Sequence, residues 1–440
     1  MSRRMQSRRE FIRNSLVVSA AAGTSSVACV HRGARHARPN ILFIYTDDQA
    51  SWSLGCLGNT YARTPNLDKF ASDAINLTNS FVVTPVCSPS RAGLLTSRYG
   101  TEVGITDWLC PNGGPFTRDE SEVGLVSYLP TWVRELSDDG YDTTLVGKWH
   151  LGIQDSSHPR QFGYRQFLGF RAGGVTAQDP TLEIDGVDRQ MEGLTDDILT
   201  QLALEQIRRA SKSQPFLLSV HFRNPHSPWV PYNEGDAAAY RDAAVPVPEP
   251  DFPHLDTERV KKSMHDYMVN VTSIDRNVGL LLAELERRGM DDNTIVVFTS
   301  DNGYNIGQHG IIHKGNASWI TNAVKDIPRG DTRQLRSNMF DTSLRVPAFI
   351  RWKQGLPRGR KLDRTITNLD WYKTLLALCG IQSGGNAILR GRDFSPLLRN
   401  EVVPWNDDLY AEYSQHHYTE AAMRTYRTQE WKLTRDFHNQ

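Results

Sequence analysis

Five cysteines in 440 residues are too few, and too irregularly spaced, to staple a small secreted fold or to build a zinc or haem centre. An excess of one charge sign is also missing. Lys and Arg number 50 against 50 Asp and Glu, which argues against a nucleic-acid partner bound through bulk charge. No apolar run reaches the roughly 20 residues that a membrane-spanning helix needs. Fixed-period repeats and low-complexity tracts are absent beyond the first 28 residues. What remains is an ordinary globular composition, 39% hydrophobic with 33 Gly and 22 Pro, long enough for one large α/β body with an appendage.

Residues 1–28 read as an export signal. Arg8-Arg9 precede Phe11-Ile12, and the apolar stretch from Leu16 to Ala22 fades into small residues up to Ala28, the pattern of a twin-arginine signal. Ser26-Val27-Ala28 fits small-x-small cleavage, which would leave Cys29 first, as in a lipoprotein, although Ser26 stands where a lipidation box prefers a larger aliphatic residue. Removing the five Arg and one Glu of this segment leaves a mature chain near −4. A periplasmic or secreted protein is expected, delivered by the twin-arginine translocation machinery and without a membrane span. The basic, polar residues 29–38 read as a linker, and an oxidising compartment permits one disulfide among Cys56, Cys110 and Cys379.

Four apolar runs then end in polar, chemistry-bearing residues. Ile41–Tyr45 leads to Thr46-Asp47-Asp48, Thr143–Val146 to Gly147-Lys148-Trp149-His150, Phe216–Val220 to His221 and His226, and Thr294–Phe298 to Asp301-Asn302-Gly303. Such continuous runs suit strands buried on both faces of a parallel sheet. Amphipathic stretches at Asp196–Arg209 and His265–Arg288, and a glycine-capped one at 369–380, read as helices. The grammar is that of a doubly wound α/β fold, whose ligands bind beyond the carboxyl ends of the strands. Residues 310–343 look long and irregular, as an active-site loop or insertion does. Short strand-like segments at 409–413 and 430–434 suggest a small C-terminal antiparallel subdomain over 399–440, after a catalytic domain over 39–398.

Asp47, Asp48, Asp301 and Asn302 offer only oxygen ligands, the set preferred by hard divalent cations and tolerated in irregular geometry best by Ca²⁺. Asp-Asp and Asp-Asn-Gly are each also ordinary turn sequences, so the case rests on both following buried strands. Cys87-Ser88-Pro89-Ser90-Arg91 opens a helix, where the terminal partial charge favours anions. Taken alone, Cys87 is either a thiolate activated by Arg91 or a small buried hydrophobe.

The string Cys-x-Pro-Ser-Arg at 87–91 resembles the signature of the formylglycine-dependent sulfatases of the alkaline-phosphatase-like superfamily. Pro39–Asp48, Gly147–Gly152, Pro225–Pro228, Asp301–Gly303 and Ser343–Pro347 also look like that family's blocks, in its order, and the likeness runs from about Pro39 to Leu433. The resemblance implies a large, mainly parallel mixed sheet flanked by helices, with a small C-terminal sheet. It further implies that a formylglycine-generating or sulfatase-maturating enzyme converts Cys87 to formylglycine, which ligates Ca²⁺ with Asp47, Asp48, Asp301 and Asn302. Arg91 would steady the hydrated aldehyde, Lys148 and Lys314 would hold sulfate oxygens, and His150 and His226 would handle protons. His313 competes with Lys314, while His221 and His309 receive no role.

The expected activity is release of inorganic sulfate from a sulfated small molecule or glycan. Alternatives are a phosphate or phosphonate ester hydrolase on the same fold, or a sulfated-glycan binder whose Cys87 stays unmodified. Residues 316–339 appear enlarged relative to simple family members, and the chain stops where such members usually continue, so the C-terminal subdomain is expected to be cut short.

Overall fold

The computed structural model describes residues 38–438, apart from 115, 329–330 and 384–386. The expected export signal and Cys29 lie outside these residues. The four apolar runs become β1 (Asn40–Thr46), β3 (Asp142–Lys148), β7 (Phe216–His221) and β8 (Thr294–Ser300). Between them lie β2 (Ile75–Phe81), β4 (Gln166–Phe170), β5 (Thr181–Ile184) and β6 (Val187–Gln190). After them come β9 (Asn305–Ile306), β10 (Ile311–His313), β11 (Asn316–Trp319), β12 (Leu335–Ser337), β13 (Ala348–Arg351) and β14 (Arg360–Thr367). Last are β15 (Leu409–Gln415), β16 (Ala421–Arg427) and β17 (Lys432–Asp436).

Ten strands form one sheet in the order β14-β2-β13-β8-β1-β7-β3-β4-β5-β6. The strands β8, β1, β7, β3 and β4 are adjacent and parallel, so the four ends singled out in the sequence share one rim. Alternation along β1 divides the core. Ile41, Phe43 and Tyr45 pack with Trp132 and Trp371, on α3 (Trp132–Asp138) and α6 (Trp371–Leu378). Leu42 and Ile44 pack on the other face with Leu67, Leu199 and Val271, on α1 (Pro65–Asp73), α4 (Thr195–Arg209) and α5 (Thr257–Arg287). Each such fully buried side chain contributes about 1.5–3 kcal/mol, so strands apolar on both faces are stable only between two helical layers.

The long helix α5 begins eight residues before the expected His265, because Asp256 caps it by accepting from the Arg259 N–H at 3.1 Å. Residues 310–343 are only partly irregular: β10, β11 and β12 join β9 in a small antiparallel sheet, while the described residues between β11 and β12 form turns and loop. Strands of two to four residues with polar members carry too little periodicity to be read from sequence. Among the described cysteines, Cys56, Cys87, Cys110 and Cys379 are all free, so the permitted disulfide does not form.

The C-terminal sheet β15-β16-β17 packs Leu409, Ala411 and Tyr413 onto Phe81, Val82 and Val86, beneath the segment that leads to Cys87. No helix of the described residues is long and apolar enough to cross a membrane.

Candidate active site

Four neighbouring strand ends and one helix assemble the site. Beyond β1, Asp48 takes a left-handed backbone (φ 67°), a conformation Asp tolerates better than most residues, and its N–H donates to Asp301 Oδ1 at 3.1 Å. At the end of β3 the backbone of Gly147 (φ 108°) passes β7 so closely that a Cβ would lie 2.0 Å from the His221 carbonyl oxygen. Glycine is required there, and the crossing sets the direction of Lys148.

Cys87 is the first residue of α2 (Cys87–Thr96), a helix buried along its whole length. Arg91 stands one turn on, on the same face. Its Nε donates to Asp301 Oδ2 at 2.9 Å, its Nη2 lies 2.8 Å from that oxygen, and its guanidinium sits over the Tyr45 ring at 5.1 Å. Lys148, fully buried, reaches Asp47 Oδ2 at 2.6 Å, and Lys314 pairs with Asp48 Oδ1, which also accepts from Asn302 Nδ2 at 2.7 Å. Three buried carboxylates thus face three buried cations. Burial disfavours the charge on Asp47, yet Lys148 holds it well below the usual carboxylate range, whereas burial and Asp47 push Asp301 upward. Lys314 remains charged because Asp48 outweighs its burial.

A cavity of about 470 Å³ opens above this layer, with Cys87, Asp48, His150, His226, His313 and Lys314 in its lining. Asp47, Asp301, Asn302, Arg91 and Lys148 lie behind that floor. Burial pushes the Cys87 thiol up, although Lys314 and Lys148 oppose it, so the site does not present an activated thiolate. His150, also left-handed (φ 62°), places Nε2 3.0 Å from the Leu109 carbonyl. That nitrogen must carry the proton, which leaves Nδ1, buried and without a protein partner, as a basic lone pair. Burial first, and Lys148 second, keep this imidazole neutral. His226 hydrogen-bonds the Ser227 carbonyl through Nδ1 and turns Nε2 toward Asp48 Oδ2 at 3.8 Å.

His313 and Lys314 both line the cavity and differ in their contacts. His313 Nδ1 meets the Tyr304 hydroxyl at 2.8 Å and burial lowers its pKa to about 4, while the Lys314 ammonium reaches Asp48. His221 lies beneath the site, 3.0 Å from the Lys148 carbonyl, and His309 lies outside it, stacked on Phe340.

Several wall residues carry no motif. Trp108, Asn112 and Tyr418 line the cavity with Asn316 and Ser318 of β11. Trp108 is held by a polar latch to the C-terminal sheet. Asp107 Oδ1 accepts from the Trp108 N–H at 2.9 Å and the Tyr413 hydroxyl at 3.0 Å, and Oδ2 accepts from the His416 and His417 N–H groups. Glu120 bridges the Nε2 atoms of His416 and His417 at 2.8 and 3.0 Å. Asp107, His416 and His417 are close enough to share an ion, but four protein donors already occupy the Asp107 oxygens, which makes the group a latch.

The latch carries a pH signature. Despite burial, its hydrogen bonds to His416 and His417 lower the Glu120 pKa from 4.5 to about 2, while the Glu120 hydrogen bond raises His416 above 6.5 against its burial. The Glu120 contribution is complete above pH 4.5 and fades as the pH falls toward 2. The His416 contribution is complete below pH 6.5 and fades as the pH rises through its folded value. Glu120→Gln is therefore expected to cost about 1–2 kcal/mol near pH 5.5 and less at pH 9, in denaturant titrations at both pH values. A pH-independent difference would show that the pair does not titrate with folding.

Comparison with known proteins matches this architecture. The family described as "Sulfatase" matches residues 39–381, and "N-sulphoglucosamine sulphohydrolase, C-terminal" matches residues 335–440. An N-acetylglucosamine-6-O-sulfatase of Bacteroides thetaiotaomicron is 26% identical, over 90% of this chain and 78% of its own length. The human steryl-sulfatase is 28% identical over 83% and 70%, and an ulvan-active sulfatase of Formosa agariphila 28% over 82% and 65%. A protein solved in complex with its substrate D-glucosamine-2-N,6-O-disulfate superposes with a TM-score of 0.75 at 23% identity, covering 92% of this chain and 90% of its own. The expected alkaline-phosphatase-like α/β sheet and the resemblance drawn from the Cys87–Arg91 string are both upheld, and the chain belongs to the sulfatase family and is a sulfuric ester hydrolase.

Proposed function

We propose that the protein releases inorganic sulfate from a sulfated carbohydrate, with a formylglycine made from Cys87 beside a Ca²⁺ ion. The observation that carries this reading is the position of Cys87, on the cavity floor at the start of a buried helix and above a layer in which Asp47, Asp48 and Asp301 face Lys148, Lys314 and Arg91. The residues fit a hard cation. Asp47 Oδ1 and Asn302 Oδ1 are buried oxygens without a protein partner, in a donor set that otherwise consists of carboxylates. Asp47, Asp48, Asp301 and Asn302 would hold the ion and residue 87 would complete its shell.

When present, the ion would disperse charge on the transferred group and the hydrated aldehyde would supply an oxygen nucleophile that an unmodified cysteine lacks. The remaining work falls to this chain's side chains. Lys314 meets sulfuryl oxygens from the floor, and Lys148 acts from below, through Asp47. Arg91 anchors Asp301 and adds positive charge beneath residue 87. The free Nδ1 of His150 accepts a proton, and His226 handles the proton of the departing alcohol. Added to three balanced ion pairs, a divalent cation would give the site a positive surplus that matches a monoanionic ester.

A carbohydrate is supported by relatives named for sulfated sugars. Export by the twin-arginine machinery to the periplasm or beyond, and maturation of Cys87 by a dedicated enzyme before that export, complete the reading. Natively produced protein is expected to cleave an aryl sulfate at least about 100-fold faster than the matching aryl phosphate or phosphonate, to lose that activity with a chelator and to regain it with Ca²⁺. Preference for the phosphate would favour the phosphoric-ester alternative, and activity that survives chelation would remove the metal from the proposal.

A further inference from the structure

The outer wall of the cavity differs sharply in chemistry from its floor. Trp108 and Tyr418 supply aromatic surface on one side, their rings 6.1 Å apart and near parallel at 28°. Tyr418 holds a left-handed backbone (φ 65°), which a side chain as bulky as Tyr adopts only when its surroundings impose it. His417, on the latch, packs against Trp108 at 4.6 Å.

On the other side, alternation along β11 turns Asn316 and Ser318 toward the cavity, while Ala317 is buried and Trp319 packs away on Phe252. Two cations close to this wall are engaged elsewhere. Arg336, opposite Ala317, sits over the Trp319 ring at 5.8 Å, and Arg118 leans to Glu420 at 3.4 Å. Among the described residues that line the cavity, Lys314 is the only Lys or Arg, and Asp48 already pairs with it.

We propose that this wall makes the enzyme selective for a sulfated sugar ring with no second anionic group: the ring's C–H face stacks on Trp108 and Tyr418, and its free hydroxyl or amide groups meet Asn112, Asn316 and Ser318. The inference rests on the sulfate-ester reading of the floor and adds the substrate class. A cavity of about 470 Å³ is within the small-ligand range and large enough for one such ring. Aromatic faces take apolar ring surface without asking for charge, and amides and hydroxyls satisfy neutral polar groups. A second sulfate or a carboxylate would lose its hydration against a wall whose described residues offer no cation beyond Lys314 to replace it.

The test offers natively matured protein the monosulfated isomers of galactose and N-acetylhexosamine, the matching disulfated sugars and sulfated uronates, and an aryl sulfate in parallel. The highest kcat/KM is expected on a monosulfated neutral ring, at least about tenfold above its counterpart with a second anion. Ser318→Arg is expected to shrink or invert that ratio. Trp108→Ala is expected to raise KM for the sugar about tenfold, with Trp108→Phe recovering most of the loss, a rescue that a purely structural role would not require. A disulfated sugar or uronate as the best substrate overturns the inference, as does aryl sulfate turnover with no sugar cleaved. Failure on the aryl sulfate as well, in protein whose Cys87 carries the modification, removes the reading of the floor on which the inference rests.

Discussion

Cys87→Ala is expected to lower kcat/KM toward an aryl sulfate by at least about 10⁴-fold, because removal of an attacking group leaves only what binding and charge stabilisation supply. The fold should survive the change. Cys87 is 3% exposed among small neighbours, and loss of one sulfur atom there costs about 1 kcal/mol, a fraction of a typical domain's stability. Cys87→Ser should be equally poor in turnover, since a serine hydroxyl lacks the second hydroxyl of an aldehyde hydrate. Peptide mass spectrometry of natively produced protein gives the complementary reading: residue 87 is expected to be lighter than cysteine by roughly 18 Da. Full activity in the alanine variant would place the nucleophile elsewhere. An intact thiol in native material would favour a protein that binds sulfated glycans without cleaving them.

Arg91→Met should be the most damaging substitution for stability. It would strand Asp301, a fully buried carboxylate that Arg91 contacts at 2.8 and 2.9 Å, and the loss of one partner from such a pair costs about 3–5 kcal/mol. Arg91→Lys should recover only part of that, because a single ammonium cannot both stack on Tyr45 and donate to Asp301 as the guanidinium does. Asp301→Asn in the same chain should restore stability by removing the unpaired charge, while activity stays lost because one of the carboxylates proposed to hold the metal has gone. Denaturant midpoints of the two single variants and the double variant measure the coupling. Additive losses would mean that Arg91 and Asp301 do not stabilise one another.

The parts of this molecule that were legible in its sequence are those written in local pattern. Ile41–Tyr45 and Thr294–Phe298 announce buried strands because four or five apolar residues in a row have few other solutions, and the Asp residues behind them mark where the strands end. Cys87-Ser88-Pro89-Ser90-Arg91 carries its meaning in five adjacent positions. The adjacency of β8, β1, β7 and β3 was not legible, since strand order follows from crossovers and not from composition.

The cavity wall was invisible for a related reason. Trp108 and Tyr418 are 310 positions apart by number and meet only through the latch, and β9 to β12 are too short for their alternation to rise above chance. Lys148 shows the limit in a different way. Its motif drew it into the site, but its ammonium is held by Asp47 and it does not reach the cavity lining, which no local pattern announces.

The latch between Asp107 and His416 spans 309 residues, which gives the site a schedule. A ribosome makes 309 residues between Asp107 and His416, so the wall around Trp108 cannot close before His416 emerges, by which point the segment that carries Cys87 has been outside for more than 300 residues. Once α2 is packed, its leading cysteine is all but sealed from any macromolecule. The proposed conversion of Cys87 would therefore fall on the growing or loosely folded chain, during the interval that the late arrival of the C-terminal sheet keeps open.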